Sequence, residues 1–142
     1  MSKVIAILNA AERALTVPPI DGVVVSRQRN YARQVTTPTI NVRLGRKAPP
    51  ELKTGATMNG GIADRTTELL VIIVAKGDDS LEQVERLHGE VVRRLFADTR
   101  LGGSCIDFAD MGAQRDESDT DGQIEMLTAV FHVKYRTVGD EI

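Results

Sequence analysis

One run constrains this chain more than any other: Glu68-Leu69-Leu70-Val71-Ile72-Ile73-Val74-Ala75. A segment this rich in β-branched residues has no helical stripe and no polar face. It predicts a strand over 65–76 in the middle of a sheet, covered on both sides. Such a strand needs neighbours, and the chain supplies them. Residues 38–44 alternate, with Ile40, Val42 and Leu44 on one face and Thr39, Asn41 and Arg43 on the other, the period of a half-buried strand. Gly22-Val23-Val24-Val25-Ser26 precedes it as a short β-branched run. Two more strands are read at 104–111 and 123–136; in the second, Leu127, Ala129, Phe131, Val133 and Tyr135 point one way.

Two helices accompany the strands. In residues 3–16, Val4, Leu8, Ala11 and Leu15 recur at spacings of three and four behind a capping Ser2, and Pro18-Pro19 ends the pattern. A second helix starts at Asp78-Asp79-Ser80, where Ser80 and Gln83 fit a capping box. Leu81, Val84, Leu87, Val91 and Leu95 form its apolar face, widened by Val92 and Phe96, and Gly102-Gly103 stops it. The order α-β-β-β-α-β-β predicts an α+β fold in two layers: a mostly antiparallel mixed sheet of about five strands with two helices packed on one face. The whole of 1–142 is read as one domain. It carries a long exposed loop at 45–63, rich in Pro and Gly, and an acidic hairpin at 115–122 that ends in Asp121-Gly122.

Composition removes several classes of function. Eighteen basic and twenty acidic residues give a net charge of -2, neither a polybasic nucleic-acid binder nor an acidic disordered tail. The single cysteine, Cys105, forms no internal disulfide, the usage expected in a reducing compartment. Trp is absent and Phe and Tyr are few, which argues against a stacking platform for single strands. The apolar stretch Val4–Leu8, interrupted by Asn9, Glu12 and Arg13, is too short for a signal or a membrane span.

Motifs that carry chemistry are also incomplete. Gly55 to Ile62 has the glycine spacing of a phosphate loop without its lysine or its Ser/Thr. Glu117, Asp119, Asp121, Gly122 and Ile124 match the early positions of a calcium loop, but Thr128 stands where the bidentate carboxylate belongs. His88 and His132 lack a nucleophile or metal-pairing partner at useful spacing, and Asp107 and Asp110 fall on opposite faces of their strand. The expectation is a protein that is not an enzyme, with no catalytic residues, cofactor or metal.

Charge, by contrast, is unevenly placed. Residues 1–60 hold nine bases against three acids, and residues 61–142 hold nine bases against seventeen acids. Identical copies with oppositely charged regions can pair head to tail, which builds rings or filaments. The candidate contact residues are Arg27, Arg29, Tyr31, Arg33, Arg46 and Lys47 on the basic side. Asp107, Asp116, Glu117, Asp119 and Asp121 are their counterparts on the acidic side. Arg and Tyr at 27–33 also suit phosphate contacts, but the net charge favours protein.

The element order carries a resemblance. Its landmarks are Pro38-Thr39-Ile40-Asn41-Val42, the long strand from Thr66 to Ala75, the close Leu95-Phe96-Ala97-Asp98-Thr99-Arg100-Leu101-Gly102-Gly103, and the ending Phe131-His132-Val133-Lys134-Tyr135-Arg136. In order and spacing the chain resembles the tail terminator proteins of long-tailed bacteriophages and related prophage minor tail proteins. The resemblance implies a virion protein that assembles in the host cytoplasm into a hexameric ring on the head-proximal end of the tail tube. There it stops polymerisation and presents a surface to the head-tail connector, while DNA passes through the channel without specific binding and no membrane is involved. It implies no catalytic residues. The 45–63 loop departs from the pattern. The competing expectation is a head-tail adaptor or neck protein, or a small nucleic-acid-binding module that uses the Arg27–Arg33 loop.

Overall fold

The computed structural model describes residues 2–27, 37–47, 51–52, 62–116 and 124–138. Its spine is the pairing of β4 (Ile62–Lys76) with β6 (Ile124–Val138). The two strands run antiparallel in unbroken register from Ile62 opposite Val138 to Lys76 opposite Ile124. Fifteen residues each make a ribbon roughly 50 Å long at the usual rise per residue. On one side of β4 lies β2 (Thr39–Lys47), antiparallel, and beyond it β1 (Val24–Ser26), parallel to β2. On the other side β5 (Asp107–Asp116) pairs antiparallel with β6. The sheet order is therefore β1-β2-β4-β6-β5, with the two-residue β3 (Glu51–Leu52) added to the start of β4.

Helices α1 (Lys3–Thr16) and α2 (Ser80–Phe96) pack on one face of this sheet, giving the α+β architecture expected. Period two decides which residues meet them. Ile40 and Val42 of β2, Leu69, Val71, Ile73 and Ala75 of β4, and Leu127, Ala129, Phe131, Val133 and Tyr135 of β6 are all buried in one core. Phe96, Phe108 and Phe131 seal its α2 end, with ring centroids 4.9 Å (96–108), 5.1 Å (108–131) and 6.2 Å (96–131) apart.

Several sequence expectations need correction. β4 is central among the strands, but its second face is covered only in part: Val74 and Asp64 are buried there, while Leu70 and Ile72 are half-buried. In α1 the buried stripe is Val4, Ile7, Ala11 and Leu15, so Ile7 takes the place expected of Leu8. In α2 Ser80 occupies the buried position and Leu81 is 45% exposed. The Ser80–Gln83 capping box does not form; Asp79 is the cap residue, and the Gln83 side-chain amide donates to Asp79 Oδ2 at 2.7 Å.

The bounds of β5 also shift, from 104–111 to Asp107–Asp116. The cause is a tight turn at Leu101 to Ser104 in which Leu101, Gly102 and Gly103 have φ of +46°, +69° and +87°. The expected hairpin at 115–122 is strand through Asp116, and its remainder lies outside the described residues. The loop read at 45–63 is strand in its described parts, as the end of β2, β3 and the start of β4. No described helix is long and apolar enough to cross a membrane.

Candidate functional site

Each residue singled out for contact takes its place from the sheet order. Arg27 directly follows β1, and its neighbours engage it: Nε meets Glu12 Oε2 at 2.6 Å and Nη2 donates to Asn9 Oδ1 at 2.5 Å, both on α1. Its charge ties the β1 edge to α1, and the residue itself stays exposed. Arg29, Tyr31 and Arg33 lie outside the described residues, as do Glu117, Asp119 and Asp121 and with them the calcium-loop reading.

Arg46 is exposed near the end of β2. A bulge between Leu44 and Lys47 interrupts the β2–β4 register there. Glu68 fixes the bulge, because its Oε1 accepts the Arg46 N–H at 2.8 Å. Its other oxygen stands 3.8 Å from His132 Nε2, on the sheet face that the helices leave uncovered. Lys47 closes β2 opposite Thr67.

Asp107 and Asp116 are the first and last residues of β5, opposite Lys134 and Met126, and both are exposed. Asp107 Oδ1 accepts the Phe108 N–H at 2.9 Å. A second bulge lies between Asp110 and Ala113, where Gly112 has φ +95° and donates its N–H to Asp110 Oδ1 at 2.8 Å. Arg115 turns to the helix side, and its Nε donates to Glu85 Oε1 at 2.8 Å.

Among the described residues the basic and acidic candidates thus do not converge on one site. β2 and β5 are separated by β4 and β6, three strand spacings or about 14 Å within the sheet. They form two borders of one sheet. β1 covers β2 only at Thr39, Ile40 and Asn41, so among the described residues the outer side of β2 from Val42 to Lys47 has no strand partner. The outer side of β5 is likewise unpaired among them.

Sequence reading missed the side chains that shape these borders. Glu68 heads the apolar run of β4, and nothing in its sequence neighbourhood points to a bulge in β2, 22 residues earlier. Asp64, only 3% exposed, pairs with Arg136 Nε at 2.9 Å across the β4–β6 register, a contact that needs the register to be visible. The Arg136 guanidinium is held charged by this hydrogen bond.

Burial pushes the Cys105 thiol up to about 11, which keeps this buried side chain protonated at neutral pH. Asp98 shapes the turn after α2; hydrogen bonds from the Gly102 and Arg100 N–H groups, at 2.7 and 3.0 Å, lower its carboxyl below the ordinary range. A shallow cleft of about 260 Å³ between the ends of α1 and α2 is walled by Ala10, Ala14, Val17 and Leu101, with Arg94 at its side. Among the described residues no cluster of His, Cys, Asp or Glu is placed to hold a metal ion.

No protein-family model matches the chain, and no curated protein matches it.

Proposed function

We propose that this chain is a structural subunit of a bacteriophage tail. Copies of it close into a ring, a hexamer by the resemblance, on the head-proximal end of the tail tube. The ring ends tube polymerisation and offers the seat for the head-tail connector, and DNA passes through its centre. The observation that carries this reading is the order and layering of the elements: a short helix, a Pro38-led β2, a long β4, α2, and the paired β5 and β6, with both helices on one face. The segments that carry the resemblance have defined roles in that frame. Pro38 accepts the Val24 N–H at 3.1 Å where β1 joins β2, and the 95–103 close is the turn organised by Asp98. The ending at 131–136 is the β6 half of the spine.

An assembly subunit also needs surface to spare. The outer sides of β2 from Val42 to Lys47 and of β5 have no strand partner among the described residues, the arrangement from which heterologous contacts are made.

The reading is tested by negative-stain imaging of the concentrated protein, alone and mixed with purified tail tubes. The expected result is an annulus with a central hole, or density added at one end of each tube with no further growth. Tubes that keep lengthening with bare ends would contradict it. Particles without a hole that bind DNA with a steep salt dependence would transfer the assignment to the adaptor or nucleic-acid module.

A further inference from the structure

Charge is sorted between the two uncovered borders. The only charged residues of β2 are Arg43, Arg46 and Lys47, all cationic and all beyond the three residues that β1 covers. In β5 the charged residues are Asp107, Asp110, Arg115 and Asp116. Arg115 is taken by Glu85 of α2, so the border itself is left with three carboxylates. Arg43 Nε donates to Asn41 Oδ1 at 2.6 Å, so β2 is left with Arg46 and Lys47 at its border and β5 with three carboxylates at its own.

The backbone of both borders is poorly disposed to extend the sheet. Each carries a bulge, at Leu44–Lys47 and at Asp110–Ala113. On β5 the Phe108 N–H is spent on Asp107 and the Gly112 N–H on Asp110. Bulges and charges are the devices by which edge strands avoid open-ended pairing. They leave side-chain recognition as the way these borders meet.

We infer that the occupant of each border is a second copy of this chain. The cationic end of β2 in one copy faces the carboxylates of β5 in the next, and the contact is made by ion pairs and not by strand addition. The inference rests on the ring reading above and gives that ring its joint. A contact between unlike borders is heterologous, so repeating it builds a ring where the rotation closes. Like borders repel, which disfavours an isologous contact through either border.

Two charge-reversed proteins test this. One is Arg46→Glu with Lys47→Glu; the other is Asp110→Lys with Asp116→Lys. Each alone sets like charge against like at every joint, and its association should weaken about tenfold or more. Mixed in equal amounts, they again present unlike borders to each other, so the mixture should recover the wild-type mass as an alternating assembly. Circular dichroism checks the fold of each. Should the β5 variant not fold, Asp116→Lys alone serves, because Asp110 also holds the bulge.

The wild-type protein gives an independent reading: at about 1 M salt, where screening acts within roughly 3 Å, its mass should fall. Rings that form equally well from either variant alone would overturn the joint and leave the ring reading standing. Variants that dissociate and do not recover on mixing overturn it too, since the charges would then not face each other. A wild-type protein that is monomeric at every concentration and leaves tubes uncapped would overturn both.

Discussion

Arg94 joins the two helices. Its side chain is only 10% exposed; Nε donates to Glu90 Oε1 at 2.8 Å within α2, while Nη1 reaches across to the Pro18 carbonyl and, at 3.4 Å, to that of Ala14. The last carbonyls of a helix have no partners inside it, and the chain leaving α1 at Pro18 has the same need. Arg94→Ala should therefore cost about 1–3 kcal/mol, read as a lower urea midpoint at neutral pH. Arg94→Lys should recover only part of this, because an ammonium lacks the planar fork that reaches both elements. A midpoint unchanged in the alanine variant would contradict this role.

Glu90 completes the arrangement. Hydrogen bonds from Arg93 first and Arg94 second bring its carboxyl from 4.5 to about 2. A carboxyl lowered on folding stabilises the native state fully above its unfolded value and loses that contribution as pH falls through the folded one. Acid should therefore weaken the protein between about pH 4.5 and pH 2, and Glu90→Gln should flatten that part of the stability curve. Parallel curves for variant and wild type across the window would rule this out.

Among the elements, β2 shows how a bulge is held. A Cβ at Gly45 would sit 3.0 Å from both Cβ and Oε1 of Glu68 and 3.3 Å from Leu70 Cδ1, closer than side chains pack. Gly45→Val should displace Glu68 from the Arg46 N–H and cost about 1–3 kcal/mol in chemical denaturation. An unchanged midpoint would show that the bulge adapts without Glu68.

The same scale explains what the sequence made legible. Alternation in 38–44 and 124–136 locates β2 and β6 because every second residue there meets the helices. The phase of α1 was not legible. Val4, Ile5, Ile7 and Leu8 are all apolar, two stripes fit the spacing, and packing on β2 and α2 selects the one with Ile7. The expected bounds 104–111 miss those of β5 because only Phe108 among its ten residues is buried, so an edge strand of this kind has no period to read. The candidate surface was legible as a charge imbalance between the two halves of the chain. Its geometry was not, because Arg27 is claimed by Glu12 and Asn9 only once β1 lies beside α1.

For the whole molecule, a net charge of -2 conceals a sheet that is positive at one border and negative at the other. Both helices lie on one face, and among the described residues β5 and the end of β2 have no outer strand partner. The proposed ring would satisfy both borders without leaving an end exposed. The most direct measurement of this claim is the solution mass by light scattering across a concentration series at low salt. The account predicts one discrete multiple of 15.5 kDa, close to six copies, that does not grow further with concentration. A mass that stays at 15.5 kDa in protein that also leaves tubes uncapped, or one that climbs without a plateau as in an open filament, would contradict it.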